Sequence, residues 1–110
     1  YYALLENGQI VGNMFLYDWQ GERDFLKIMN LGVAPDRRGQ GLACRLLQKA
    51  AEELKASMLT RCCGETRESN LAMRRVFERC GYRLNKIEEN YYENPAESAC
   101  KYVLRREELE

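Results

Sequence analysis

The chain has 110 residues, 45% of them hydrophobic, with 17 basic and 17 acidic side chains and therefore no net charge. This length and composition predict one globular domain, residues 1–110, with a buried core. The charge balance argues against bulk electrostatic binding to nucleic acid, and no apolar run is long enough to span a membrane, so we expect a cytoplasmic protein.

The first half of the chain predicts a hairpin, a central strand and a helix. Apolar runs at 1–6 and 9–17 flank Asn7-Gly8, the pair typical of a type I′ turn. A polar loop follows at 18–24, and residues 25–33 are apolar on both faces, as in a strand at the centre of a sheet. From residue 41 the apolar period becomes helical and ends near residue 57. The predicted buried stripe of this helix is Leu42, Leu46, Leu47, Ala50 and Leu54.

The second half predicts a strand, a second helix and two more strands. Residues 58–67 have the pattern of a strand, and Ser69 or Asn70 is a suitable N-cap for the helix that follows. Gly81 marks the end of this helix. Strands are predicted at 82–88 and 99–105, joined by a loop at 89–98. The order β-β-β-α-β-α-β-β predicts an α/β or α+β fold with a mixed sheet and two crossover helices.

The cysteines do not indicate a metal site. Five are present, none in a Cys-x-x-Cys pair, and the chain has no histidine, so both spacing and partner ligands for a metal are missing. Their odd number and apolar neighbours indicate reduced, buried thiols. Without histidine, a hydrolase triad built on a Ser or Cys nucleophile is not expected.

The segment before the first helix is suited to binding an anion. "PDRRGQG" (35–41) places two glycines and two arginines where the helix begins. Glycines admit a ligand close to backbone N–H groups, the positive end of the helix favours phosphate oxygens, and Arg37 and Arg38 would add charge-assisted contacts. The residues after Gly41 do not fit a Walker loop, and the dinucleotide fingerprint lacks its third small residue. A solvated turn is the alternative interpretation.

Three motifs resemble the GCN5-related N-acetyltransferase (GNAT) family. "RGQGLA" (38–43) matches the R/Q-x-x-G-x-G/A signature, and "GETRESNLAMRRVFERCGYR" (64–83) is similar to the second half of the fold. "ENYYENPAESACKYVL" (89–104) is similar to the closing segment of the branch that acetylates N-terminal amines, especially the ribosomal-protein alanine acetyltransferases. The resemblance implies the GNAT fold, with a mixed, mostly antiparallel sheet. It also implies transfer of an acetyl group from acetyl-CoA to a primary amine by direct attack, without a metal.

The resemblance also implies where acetyl-CoA, the cosubstrate, would bind. The backbone of the third strand would pair with the pantetheine arm, and the loop before the first helix would hold the pyrophosphate. Asn70 would reach the pantetheine arm, although its alternative role is to cap the second helix. The implied cofactor-binding residues are Leu31, Gly32, Val33, Arg38, Gly39, Gln40, Gly41, Leu42, Ala43, Asn70 and Phe77.

Glu65 is the implied general base, acting through a water molecule. An α-amino group has a pKa of about 7.7–8.0, so it needs only modest help to lose its proton before it attacks a thioester. The alternative is that Glu65 forms an ordinary ion pair with Arg61 or Arg67 on the same strand.

Phe77 departs from the family pattern. Many relatives have at this position a tyrosine that is thought to protonate the departing thiolate, and phenylalanine has no proton to give. Tyr82, Tyr91 or water are the candidates for this role, and a thiol is in any case a good leaving group.

Tyr91 and Tyr92 are predicted to lie in a loop over the acceptor site, where the resemblance implies a peptide-binding groove. Four glutamates of the same segment would attract a cationic acceptor or form a solvated face; they are Glu88, Glu89, Glu93 and Glu97. We expect the acceptor to be a protein or peptide N-terminal amine. The alternatives are a small-molecule amine, such as a polyamine or an aminoglycoside, and a CoA-binding domain without catalytic activity.

The family pattern also begins with a strand and a pair of helices that do not precede Tyr1 in this sequence. We expect either a domain truncated at its N-terminus or an acceptor groove that a second subunit completes, as in a homodimer.

Overall fold

A computed structural model describes residues 1–18, 25–37 and 41–109, and these residues form a six-stranded sheet and two α-helices. The sheet order is β1-β2-β3-β4-β6-β5, in which β3 and β4 are parallel and all other neighbours antiparallel. The predicted fold class, with two crossover helices, is confirmed. The elements are β1 (Tyr2–Glu6), β2 (Gln9–Asp18), β3 (Phe25–Val33), α1 (Leu42–Ala56), β4 (Arg61–Arg67), α2 (Leu71–Arg79), β5 (Arg83–Tyr92) and β6 (Glu97–Arg105).

Local signals in the sequence account for the hairpin and for both helices. Asn7 and Gly8 have φ values of 51° and 81°, as the predicted type I′ turn requires. In α1 the apolar stripe faces the core, and its buried members are Leu46, Leu47, Ala50 and Leu54.

The two ends of α2 lie at Asn70 and Gly81, the residues from which the sequence predicted them. The Asn70 side chain accepts a hydrogen bond from the Met73 N–H at 3.1 Å, so Asn70 is the N-cap. At the other end, the Tyr82 N–H donates to the Phe77 carbonyl at 2.9 Å, across Gly81. This bond is that of a Schellman motif with Gly81 at C′.

The strand predicted at 58–67 starts later, at Arg61. The Ser57 hydroxyl donates to the Leu54 carbonyl at 2.9 Å and accepts from the Leu59 N–H at 3.1 Å. These bonds hold a bend after α1, because a serine hydroxyl competes with the backbone for its own neighbours.

The prediction of a loop over residues 89–98 is wrong at both ends, because the two flanking strands extend into this segment. β5 continues to Tyr92, which pairs with Glu97 at the start of β6. The register shifts between Glu88 and Tyr92, and Asn90 within this shift has a φ of 54°. A bulge leaves residues unpaired without ending the strand, so this polar segment is extended although its composition predicted a loop.

One buried core joins α1, α2 and one face of the sheet. Of the five cysteines, all free thiols, only Cys62 and Cys100 are buried; Cys44, Cys63 and Cys80 are half-buried, which corrects the expectation of five buried thiols. In the part of the chain that the structure describes, neither helix combines the length and the apolar character needed to cross a membrane.

Gly64 in β4 leaves space that an aromatic ring fills. A Cβ added to Gly64 would lie 2.7 Å from Cε1 and Cζ of Phe77 and 3.4 Å from Cδ1 of Ile28. Phe77 is 2% exposed and stacks on Tyr102, with ring centres 5.0 Å apart. The ring therefore has little room to move away from β4.

We expect Gly64→Ala to lower the free energy of unfolding by about 1–3 kcal/mol, because overpacking a closed core costs this much. The smaller entropy of the unfolded alanine chain, about 0.4–1 kcal/mol, opposes this loss without cancelling it. Urea unfolding measures the effect. In a Phe77→Leu background the cost of Gly64→Ala should shrink, and an equal cost in both backgrounds would contradict the clash.

Candidate active site

The ladder between β3 and β4 ends early. It contains three residue pairs, and the last of them joins Lys27 to Cys63. Beyond it, residues 28–33 of β3 continue to pair with β2, and residues 64–67 of β4 continue to pair with β6. The two facing strand edges are therefore open to an extended ligand, in a gap that we call the wedge.

Two adjoining cavities lie along the wedge and share Leu31, Asn70 and Met73. The helix-end cavity, of about 330 Å³, is lined by Leu31, Gly32, Val33, Arg37, Gly41, Leu42, Ala43, Cys44, Asn70, Ala72, Met73, Val76 and Arg79. The wedge cavity, of about 470 Å³, is lined by Lys27, Ile28, Met29, Asn30, Leu31, Glu65, Thr66, Asn70, Met73, Phe77, Tyr91 and Tyr92.

The helix-end cavity has the features of a phosphate site. Gly41, whose φ is 76°, is the N-cap of α1 and provides no side chain to cap it. No atom of the described residues beyond its chain neighbours lies within 4 Å of the position that a Cβ would take. Unbonded N–H groups at the positive end of a helix attract phosphate oxygens. Arg37 also lines this cavity, 2.7 Å from Glu6, and its buried Nε has no hydrogen-bond partner among the described residues. These residues fit the diphosphate of a nucleotide cofactor.

Most residues predicted to bind the cofactor lie along this path. Seven of them line the helix-end cavity: Leu31, Gly32, Val33, Gly41, Leu42, Ala43 and Asn70. Phe77 lines the wedge cavity instead. Arg38, Gly39 and Gln40 lie outside the described residues. Asn70 both caps α2 and lines the two cavities, so its two predicted positions are compatible.

Glu65 forms an ion pair with Lys27 across the start of the wedge. The alternative partners predicted for it, Arg61 and Arg67, are wrong, because the pair forms between strands and not along β4. Burial acts to raise the pKa of Glu65, but hydrogen bonds from Lys27 and Tyr91 outweigh it, and the pKa lies below its usual range. Glu65 is therefore ionised at neutral pH.

The lowered pKa of Glu65 also makes a contribution to stability that depends on pH. Because the folded-state pKa lies below that of the unfolded chain, the contribution is complete above the unfolded value, about 4.3. It is lost as the pH falls through the folded value.

Tyr91 and Tyr92 lie at the end of β5 and not in the loop predicted for them, because of the bulge described above. Both line the wedge cavity, and their rings meet edge to face, 5.1 Å between centres. The hydrogen bond from the Tyr91 hydroxyl to Glu65, with burial, raises the pKa of Tyr91 to about 12. The Tyr91 hydroxyl is thus a donor to Glu65 and a weak acid.

Tyr82 does not occupy the wedge. Its side chain is 2% exposed and its hydroxyl donates to the Cys62 sulfur at 3.3 Å. Burial raises the pKa of Tyr82 well above its ordinary value. Of the two tyrosines considered as proton donors, only Tyr91 therefore reaches the wedge cavity.

Arg67 holds the turn between β5 and β6. Its guanidinium donates to the carbonyls of Pro95 and Glu93 at 2.9 and 3.0 Å and lies 3.3 Å from Glu97. It also lies 4.6 Å from the centre of the Tyr92 ring. One side chain thus fixes both the turn and the aromatic wall next to it.

Two of the four glutamates near the acceptor side are neutralised by ion pairs. Glu88 lies 3.3 Å from Lys86 and 3.4 Å from Lys101, and Glu97 pairs with Arg67. The segment therefore attracts cations less than its composition indicates.

Sequence reasoning missed Lys27. The signal was present, because Lys27 is the only charged residue of a mostly apolar strand, where a charged side chain needs a partner. Without the register of β3 against β4, that partner could not be identified.

A family model described as the acetyltransferase (GNAT) family matches residues 1–82. Three similar solved structures illustrate the likeness. The ribosomal-protein-S18-alanine N-acetyltransferase from Escherichia coli is 28% identical, with a TM-score of 0.82, over 94% of this chain and 66% of that one. A GNAT family acetyltransferase from Elizabethkingia anophelis with acetyl-CoA bound is 21% identical, with a TM-score of 0.81, over 94% and 73%.

The third, a spermidine N-acetyltransferase chimera derived in part from Vibrio cholerae, is 13% identical, with a TM-score of 0.82, over 96% of this chain and 65% of that one. No curated protein matches the chain significantly. The chain spans slightly less than two thirds of the E. coli enzyme.

We expect Arg67→Met to loosen the turn that Arg67 holds, because four contacts of one guanidinium are lost. Amide hydrogen exchange at residues 93–97 should accelerate by about tenfold, the equivalent of one charged hydrogen bond of about 1.5 kcal/mol. The matched control is Arg83→Met, since the Arg83 side chain is 80% exposed and, within the described part of the chain, forms an ion pair only with Glu108. Equal exchange in both variants would exclude this role of Arg67.

Proposed function

The chain belongs to the acetyltransferase (GNAT) family, and from this we propose that it transfers the acetyl group of acetyl-CoA to a primary amine. We further propose that the amine is the N-terminus of a protein or peptide. The observation that carries the proposal is an ionised carboxylate, Glu65, in a wedge that leads to the uncapped start of α1. This arrangement offers a base at one end and an anion site at the other.

Acetyl-CoA would lie along the wedge. The first turn of α1 and Arg37 would hold its diphosphate. Among the described residues the helix start has no side-chain cap and the Arg37 Nε has no hydrogen-bond partner, so both can donate to phosphate oxygens. The free edge of β3 at Leu31, Gly32 and Val33 would bind the pantetheine arm through backbone groups. Acetyl-CoA supplies an activated thioester, and the remaining chemistry falls to side chains of this chain.

Glu65 would accept a proton from the acceptor amine through a water molecule as the amine attacks the thioester carbonyl carbon. The new C–N bond forms as the C–S bond breaks, and the thiolate takes its proton from solvent. A thiol of pKa about 8.5 leaves without a strong acid. The raised pKa of Tyr91 and its hydrogen bond to Glu65 make it a poor proton donor to the thiolate. Of the two roles considered for Tyr91, we therefore assign it contact with the acceptor.

Two observations favour a peptide acceptor. The E. coli structure, 28% identical, is that of an enzyme named for an alanine of a ribosomal protein. Tyr91 and Tyr92 form an aromatic wall, and aromatic side chains with a polar end suit peptide contacts. The pairing of Glu88 and Glu97 with basic residues weakens the argument for a polyamine.

The proposal is tested by mass spectrometry of acceptors incubated with the protein and acetyl-CoA. We expect acetylation of a peptide beginning with alanine and much less of spermidine. Glu65→Gln should lower turnover by about 10²-fold or more, most strongly below the pKa of the acceptor amine. Its affinity for acetyl-CoA, measured by calorimetry, should stay unchanged.

Preference for spermidine would instead identify a small-molecule acetyltransferase. Binding of acetyl-CoA without transfer to any amine, and without any effect of Glu65→Gln, would identify a non-catalytic CoA-binding domain. Absence of acetyl-CoA binding would overturn the proposal altogether.

The two positions of Asn70 can be separated by substitution. Asn70→Ala removes both the cap and the amide, so it should cost about 1 kcal/mol of stability and weaken acetyl-CoA binding. Asn70→Ser keeps a capping oxygen, so stability should be nearly retained while binding weakens. Unfolding curves and calorimetry measure the two effects, and full binding by Asn70→Ser would show that Asn70 only caps α2.

A further inference from the structure

Lys27 occupies the point where the wedge begins. It is the last residue of β3 that pairs with β4, opposite Cys63. Glu65 follows Cys63 by two residues, and because side chains alternate along a strand it lies on the same face of the sheet. The Lys27 ammonium therefore reaches Glu65 along the opening, and it donates to Oε1 of that carboxylate.

Groups from three strands surround the Glu65 carboxylate. Lys27 contacts it from β3, the Tyr91 hydroxyl from β5, and Lys101, which pairs with Glu65 in the ladder, stands on β6. Lys101 is shared, since its ammonium lies 3.4 Å from Glu88 and 4.4 Å from the centre of the Tyr91 ring. Tyr92 and Glu88 of β5 add weaker electrostatic influences on Tyr91. Among the described residues, Lys27 is thus the cation that forms an ion pair with Glu65.

The ion pair between Lys27 and Glu65 is largely shielded from water, so it has a strong effect on the ionisation of Glu65. The side chains of Glu65 and Lys27 are only 13% and 23% exposed. A carboxylate so shielded from water tends to take up a proton unless an opposite charge lies close. Because Lys27 binds Oε1, the pair also restricts rotation of the carboxylate.

We propose that Lys27 is a positioning residue, which keeps the Glu65 carboxylate ionised and fixes its orientation in the wedge. Lys27 acts through Glu65 and needs no contact with substrate. Only the effect of Lys27 on turnover rests on the proposed function. The ionisation of Glu65 can be measured in the protein without any ligand.

The first test is a titration of the ligand-free protein by NMR of ¹³C-labelled glutamate carboxyl groups, with Glu65→Gln identifying the Glu65 signal. In Lys27→Met the pKa of Glu65 should rise, because burial still favours the protonated carboxyl group while the nearby positive charge that favours the carboxylate is gone. Lys27→Arg should keep it low. The matched control is Lys86→Met, which also removes one positive charge but from an exposed side chain that pairs with Glu88; it should leave the Glu65 signal unchanged.

The second test is the pH profile of kcat/KM with the alanine peptide. In Lys27→Met the acid limb should move to higher pH, with a loss of about tenfold well below neutral pH. The loss should lie in kcat, with KM for acetyl-CoA unaffected. Lys27→Arg should restore the profile, and Lys86→Met should match the unmodified protein.

The outcomes separate this inference from the proposed function. If Glu65→Gln lowers turnover but Lys27→Met leaves both the titration and the pH profile unchanged, Lys27 has no positioning role. If Lys27→Met raises the pKa of Glu65 while Glu65→Gln leaves turnover intact, Lys27 controls the ionisation of Glu65 but the carboxylate is not the base. Should Lys27→Met fail to fold, Lys27→Gln serves the same comparison.

Discussion

The short ladder between β3 and β4 is the constraint on which the site depends. Two parallel strands that paired along their whole length would leave no gap, and their backbone groups would be satisfied by each other. Here the pairing stops at Lys27 and Cys63, while each strand keeps a partner on its outer side. The sheet thus stays continuous and still offers two free edges. The packing of Phe77 into the space at Gly64 ties β4 to α2 beyond that point.

The two ends of the resulting wedge have opposite electrostatic character. At one end, α1 starts without a side-chain cap among the described residues and Arg37 stands nearby, so this end favours an anion. At the other end lies the Glu65 carboxylate, kept ionised by Lys27. Such a gradient would orient a ligand that has an anionic tail and a neutral reactive end, and in the proposed function it would place the reactive end near Glu65. Orientation of this kind supplies much of the rate in reactions between two bound partners.

The sequence predicted those features that depend on neighbours in the chain. The turn at Asn7-Gly8, the buried stripe of α1 and the caps of α2 each follow from contacts within a few residues. Their physical causes are local, namely backbone φ, helical period and capping hydrogen bonds. The family motifs added the positions of Glu65 and Asn70, which the spacing of residues could not have assigned to a role.

Contacts between distant parts of the chain could not be predicted in this way, and Glu65 is the clearest example. Along β4 its partners would have been Arg61, four residues before it, or Arg67, two residues after it, both on the same face of the strand. Its partner in the fold is Lys27, 38 residues away, because strand order and register bring β3 beside β4 at that point. The same applies to Phe77, whose ring fills the space at Gly64, 13 residues away in the chain. Register and packing, which a sequence motif does not encode, therefore decide both the charge partner of Glu65 and the place of the Phe77 ring.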